Sequence, residues 1–264
     1  MSEYRTIELL GENGLVTIWL NRPEVRNAFN DLMLTELTHA FAGVARSFPQ
    51  VRVLVLTGKG SCFCAGADLN WMRDSVRYSY ADNLRDAGLV SDCLYALYSL
   101  PQPTIARVNG AAIGGGMGLV TACDIAIAQS EAVFSLSEVR IGLVPACISP
   151  YVLKRVGEGV CRELFLTGER ISAARALQVG LVNKVVSPEE LDAAVRQLVD
   201  RLLANGPQAM ATCKRLLQTI AETKLDEARP YTAEVIARLR VEPEAQEGMS
   251  AFLAGRAPSW QKQA

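Results

Sequence analysis

Between residues 7 and 136 the apolar pattern switches repeatedly between the two-residue period of a strand and the longer period of a helix, and that alternation constrains the fold most. Ile7-Glu8-Leu9-Leu10 and Leu15 to Leu20 flank Gly11-Glu12-Asn13-Gly14, a hairpin signal. Asn21-Arg22-Pro23 stops the second strand. Asp31 to Phe48 carries helical spacing through Leu34, Leu37, Phe41 and Val44, and Val51 to Thr57 reads as a compact strand. A helix is predicted over Tyr80 to Ser99, with strands over Thr104 to Val108, Asp124 to Ala128 and Val133 to Leu136. Repeated strand–helix units with short strands predict an α/β chain wound as a spiral. Beyond Gly157 the strand signal fades. Helices are expected over Val160 to Leu166, Ser172 to Gln178, Pro188 to Ala204 and Pro207 to Glu222. The expected division is a core over residues 1–200 and a helical region over 201–264.

A formal net charge of −1 gives no electrostatic case for nucleic acid or an anionic membrane as partner. The seven cysteines are odd in number and mostly sit among apolar neighbours, as reduced buried thiols do. Cys62 and Cys64 are too closely spaced for a zinc pair, and the only histidine, His39, lies in another segment, so no metal site is expected. With no signal-peptide pattern at Met1 and no bilayer-length apolar run, the expected location is the cytoplasm.

Two glycine-rich elements stand out: Cys64-Ala65-Gly66-Ala67-Asp68-Leu69 after a strand, and Asn109 to Leu119 with Gly114-Gly115-Gly116 within it. Three glycines at a helix start leave backbone N–H groups uncovered at the positive end of the helix dipole. A carbonyl that becomes an enolate needs such donors, each worth about 3–4 kcal/mol of transition-state stabilisation where this has been measured. Taken alone, the triple glycine also reads as a tight turn with close helix–sheet packing. Neither dinucleotide nor nucleotide phosphate-loop spacing is present.

Asn21-Arg22-Pro23, Asn27-Ala28-Phe29, Phe63 to Leu69, Gly114 to Gly116, Cys123-Asp124 and Ser137-Glu138-x-x-x-Gly142-Leu143-x-Pro145 together resemble the crotonase (enoyl-CoA hydratase/isomerase) superfamily in order and spacing. Thr167-Gly168-Glu169 with the alanine-rich segment after it, and Gly248-Met249-x-Ala251-Phe252, are similar to later family segments. The resemblance implies a crotonase spiral of ββα units with a helical C-terminal region that serves assembly as a trimer or dimer of trimers. It implies that the N–H groups of Ala67 and Gly115 hold a thioester oxygen and that Glu138 is the acid/base. It further implies that Ala65, Gly66, Ala67, Asp68, Leu69 and Asn70 line the coenzyme A path. Coenzyme A belongs to the substrate, and no separate cofactor is expected.

Many hydratases of the family carry a second glutamate two residues beyond the triple glycine, where this chain has Gly118. A single carboxylate suits a Δ3,Δ2-enoyl-CoA isomerase, because one base can remove a proton and return it elsewhere. Ser137 to Val152, with Ala146 and Ser149-Pro150, instead resembles bacterial methylglutaconyl-CoA hydratases of leucine degradation. That resemblance implies hydration of a branched or carboxylated 2-enoyl-CoA such as 3-methylglutaconyl-CoA. Arg140, Lys154 and Arg155 are the candidate cations for the extra carboxylate. Ala254-Gly255-Arg256 lacks a lysine that often touches coenzyme A phosphates, for which Arg256 is the candidate substitute. A reading of another class is a catalytically weak coenzyme-A- or RNA-binding protein, against which the absence of an aromatic–basic platform argues. His39, Cys62 and Cys64 read as structural, and Met117 as acyl-pocket lining or core.

Overall fold

A computed structural model of the chain describes residues 4–261. The chain opens with a hairpin of β1 (Ile7–Glu12) and β2 (Leu15–Leu20) in antiparallel register, Glu12 facing Leu15. Its turn is only Asn13-Gly14, with φ of 47° and 80°, the left-handed pair that a tight hairpin requires. After α1 (Asp31–Arg46), capped by the Asn30 side chain, β3 (Val53–Gly58) joins β2 in parallel. Two helices follow, α2 (Leu69–Ser75) and α3 (Tyr80–Tyr98), then β4 (Thr104–Val108) beside β3.

The second half of the core runs β5 (Ala112–Ile113), α4 (Gly115–Ala122), β6 (Ile125–Gln129), β7 (Val133–Ser135) and α5 (Ser149–Thr167). It continues through β8 (Arg170–Ser172), α6 (Ala173–Gln178), β9 (Lys184–Val186) and α7 (Leu191–Leu203). Helices α8 (Pro207–Ile220), α9 (Leu225–Val241) and α10 (Pro243–Leu253) close the chain. Two sheets result, one in the order β1-β2-β3-β4-β6-β9 and one in the order β5-β7-β8. β3 is buried along its whole length, between a large core under α1, α3 and α4 and a smaller one under α7. Helix α7 itself passes through residue 200.

Three expectations are corrected. The strand pattern does not end at Gly157: β9 adds an edge to the large sheet and β8 to the small one. Three-residue strands are too short to show a two-residue period, so pairing rather than sequence pattern reveals them. The helix expected from Val160 begins at Ser149, with Pro150 in its first turn, and bends at Gly157, whose φ of 76° no β-branched or bulky residue holds easily. The short helix α2, capped by the Asp68 side chain, was not expected at all.

One buried cation ties the two ends of this arrangement together. Arg52 is 8% exposed, and its backbone N–H donates to Gly14 in the hairpin turn. Its guanidinium donates to the carbonyls of Leu203 at 2.6 Å, Asn205 at 2.7 Å and Trp260 at 3.0 Å. Burial pulls its pKa down; the three carbonyls take up both terminal nitrogens, while Nε is buried with no hydrogen-bond partner among the described residues. Replacing Arg52 with Met strips the partners from three carbonyls, and chemical denaturation should show a loss of about 2–4 kcal/mol. A loss under about 0.5 kcal/mol, the scale of an ordinary surface substitution, would show that the C-terminal helices do not depend on this anchor.

Candidate active site

The site is built where the 58–70 segment crosses the start of α4. Asn27, fully buried with φ 55°, donates from Nδ2 to the carbonyls of Lys59 and Cys62, both at 2.8 Å, and accepts from Arg22 N–H at 3.0 Å. Asn109 clasps the other side, donating to the carbonyls of Gly58 at 2.9 Å and Gly60 at 2.8 Å. Held between them, the chain forms two isolated parallel bridges, Phe29 with Ala67 and Cys64 with Ala112.

In the first bridge Phe29 N–H donates to Gly66 and Asp68 N–H donates to Phe29, each at 2.9 Å. That pattern turns the N–H of Ala67 to the opposite side, and it has no hydrogen-bond partner among the described residues. The N–H of Gly115, in the first turn of α4, likewise has none. Bringing these segments together requires bare backbone. A Cβ on Gly115 would overlap Cε1 of Phe29, one on Gly116 would overlap the Cys64 carbonyl, and one on Gly66 (φ 93°) would stand 3.0 Å from the Ile113 carbonyl. The packing and donor readings of the triple glycine are therefore one arrangement.

Glu138 opens a 3₁₀ turn, Glu138–Ile141, three residues past the Ser135 carbonyl that accepts Gly114 N–H at 2.8 Å. The parallel pairing of β5 with β7 thus sets the glutamate beside the start of α4: a Cβ on Gly114 would lie 3.0 Å from Glu138 Oε1. Its other oxygen, Oε2, is sealed from solvent with no hydrogen-bond partner among the described residues. Burial pushes the carboxyl above the ordinary glutamate value, opposed only by its own backbone N–H. The structure brings Ala67, Gly115 and Glu138 into one place.

The proposed coenzyme A segment divides. Leu69 and Asn70 are exposed, and Ala65 and Ala67 are half-buried. Asp68 is buried, pairs with Arg22 at 2.7 Å and caps α2 by accepting from Asn70 N–H at 2.8 Å. Burial raises its pKa, but these partners outweigh burial and hold it below the ordinary carboxylate value.

The position of the family's second glutamate is closed as well as vacant of charge. A Cβ on Gly118 would overlap Cγ2 of Ile148 and come within 3.5 Å of Leu94. Of the candidate cations, Arg155 is consumed by the backbone, donating to Cys123 at 2.5 Å and to Val120 and Asp124, while Lys154 pairs with Glu222 at 2.6 Å. Arg140 is exposed and has no ion pair among the described residues. Arg256 pairs with Glu247 at 2.7 Å. Burial pushes the Cys64 thiol up to about 12, so it packs as a neutral group, and Met117 is 1% exposed. His Nδ1 of residue 39 meets the Tyr4 hydroxyl at 2.8 Å, far along α1. The sequence alone assigns no role to Phe29 or Ile148. Phe29 lies within a quoted motif, but only packing reveals its role, and nothing local marks Ile148.

A profile of the enoyl-CoA hydratase/isomerase family matches residues 11–263. The chain is 36% identical to the crotonyl-CoA hydratase of Syntrophomonas wolfei over 96% of both proteins. It is 32% identical to the short-chain-enoyl-CoA hydratase of Clostridium acetobutylicum, over 96% of this chain and 97% of that one. The crystal structure of an enoyl-CoA hydratase from Shewanella pealeana superposes with a TM-score of 0.94 at 39% identity, covering 98% of this chain and 97% of the other.

Gly118→Ala tests the closed position. In an open helix this change stabilises by roughly 1 kcal/mol, whereas overpacking costs about 1–3 kcal/mol. Here we expect a net loss in thermal or chemical denaturation. Combined with Ile148→Ala it should show favourable coupling of about 1–2 kcal/mol. A stabilised single variant would mean the space is free. Matched along nearly its whole length by profile, relatives and solved fold, the chain belongs to the enoyl-CoA hydratase/isomerase family of the crotonase superfamily.

Proposed function

We propose that this chain hydrates short-chain 2-enoyl-CoA thioesters, with Glu138 as its single acid/base. The observation that carries this reading is the sealed, unpartnered Glu138 oxygen beside two unpaired backbone N–H groups. A thioester oxygen accepting from Ala67 and Gly115 draws electron density from the double bond. Glu138 takes a proton from water, the oxygen adds to the β-carbon, and an enolate forms under the two donors. The protonated Glu138 then returns the proton to the α-carbon, so that one water is added and the carboxylate is restored. The crotonyl-CoA and short-chain relatives support an uncharged, short acyl group.

Two finer readings have support. Arg140, without an ion pair among the described residues and two residues past Glu138, is the cation that would meet a second carboxylate, which supports 3-methylglutaconyl-CoA of leucine degradation as substrate. The closed Gly118 position favours proton shuttling by one base, hence Δ3,Δ2-isomerisation of a 3-enoyl-CoA. We also propose assembly as a trimer or dimer of trimers through the C-terminal region, where Phe252 and Leu253 are each 85% exposed. The seven free cysteines fit a reducing compartment such as the cytoplasm. Among the described residues no helix is long and apolar enough to cross a membrane.

Crotonyl-CoA, 3-methylglutaconyl-CoA and 3-hexenoyl-CoA should each be assayed by mass and ultraviolet absorbance. Crotonyl-CoA should gain one water, and Glu138→Gln should lower kcat/KM by about 10²–10⁴-fold. Because the base must be ionised and burial raises its pKa, the rate should fall on acidification at a higher pH than an exposed glutamate would give. Retained activity in Glu138→Gln would remove the proposed base. Turnover of 3-hexenoyl-CoA alone would make the chain an isomerase.

A further inference from the structure

The bridge between Cys64 and Ala112 ties the first donor segment to the approach of α4, with Cys64 N–H donating to Ala111 and Ile113 N–H donating to Cys64, each at 3.0 Å. Gly66, at φ 93°, then turns the chain, and Ala67 pairs with Phe29 instead. Beyond Gly66 the hold on the Ala67 amide therefore runs through Phe29.

Phe29 meets both donors. Its N–H donates to Gly66 and its carbonyl accepts from Asp68, each at 2.9 Å, so its backbone brackets Ala67. Its ring lies against Gly115, where a β-carbon would overlap Cε1 and Cζ. The residue is 4% exposed, and a planar ring in a close-packed site cannot shorten by bending. It therefore acts as a spacer of fixed length between the two amides.

Two neighbours brace this spacer. The Trp71 indole meets the Phe29 ring edge-on, with centroids 6.0 Å apart and planes at 66°. Trp71 comes from α2, which has no buried residue of its own and packs on the core through this half-buried indole. Arg22 clamps the flanking backbone, Nη1 donating to the Ala28 carbonyl at 2.6 Å and Nη2 to the Asp68 carboxylate at 2.7 Å.

We propose that Phe29 is a positioning residue for the oxyanion hole. Its ring fixes how far the Ala67 amide stands from the Gly115 amide, and Trp71 holds the ring in place. This rests on the acyl-CoA reading above. A displaced donor stabilises the enolate less while the thioester still binds, because donor placement counts most once charge has built up on the oxygen.

The test separates turnover from the state of the bound carbonyl, in full-length wild type, Phe29→Leu, Phe29→Ala and Trp71→Ala. With crotonyl-CoA, kcat should fall about 10–100-fold in Phe29→Ala and about three- to tenfold in the other two. KM should change by less than about threefold. In infrared spectra of bound hexanoyl-CoA labelled with carbon-13 at the carbonyl, the stretch should move back toward its frequency in water in the same order. Phe29→Leu keeps an apolar filling and Trp71→Ala keeps the ring, so both carry the test if Phe29→Ala fails to fold. A stretch unmoved from wild type in every variant that folds would overturn the assignment, whether or not activity falls. A wild-type stretch no lower than in water would instead overturn the oxyanion-hole reading beneath it, and failure of hexanoyl-CoA to bind wild type would overturn the coenzyme A reading.

Discussion

The ring of Phe29 occupies the place where a β-carbon on Gly115 would be, while the backbone of the same residue bridges Ala67. One residue therefore sets the spacing between the two segments that carry the unpaired N–H groups. Everything else at the site follows from keeping that contact close. The glycines at 66, 115 and 116 permit it, and the Asn27 and Asn109 side chains hold the 58–62 loop that delivers the first donor. The second donor comes at no extra cost, because the first turn of any helix leaves N–H groups unsatisfied. A pair of preorganised donors needs no rearrangement when charge develops on the substrate.

Glu138 is positioned by the other sheet. β5 and β7 pair in parallel, so the chain leaving β7 passes the start of α4 and places its first acidic residue there. The two unpaired N–H groups and a poorly solvated carboxylate come from separate layers that meet at Gly114 and Gly115. The absence of a second carboxylate on α4 is a packing decision as much as a chemical one, since Ile148 fills that volume. Restoring a glutamate at residue 118 would require rebuilding the segment before α5.

Much of this was legible in the sequence because it rests on local rules. The hairpin turn needed left-handed residues, and Asn13-Gly14 supplies them. The triple glycine marked uncovered amides, while Ala67, Gly115 and Glu138 were reached through the resemblance to the crotonase superfamily rather than through any local rule. What stayed hidden depends on distant partners. β8 and β9 exist only through pairing, and Arg155 looked like a free cation until the carbonyls of Val120 and Cys123 came around it.

The central claim is that two backbone amides polarise the thioester, and the one substitution that removes a backbone N–H, to proline, also fixes φ and disturbs the chain around it. Infrared difference spectroscopy of hexanoyl-CoA labelled with carbon-13 at the thioester carbonyl addresses it directly. The account predicts that the carbonyl stretch of the bound thioester moves to lower frequency than in water, because two aligned donors replace mobile solvent. A bound carbonyl at or above its frequency in water would contradict it, and the site would then lack the oxyanion hole on which the proposed chemistry depends.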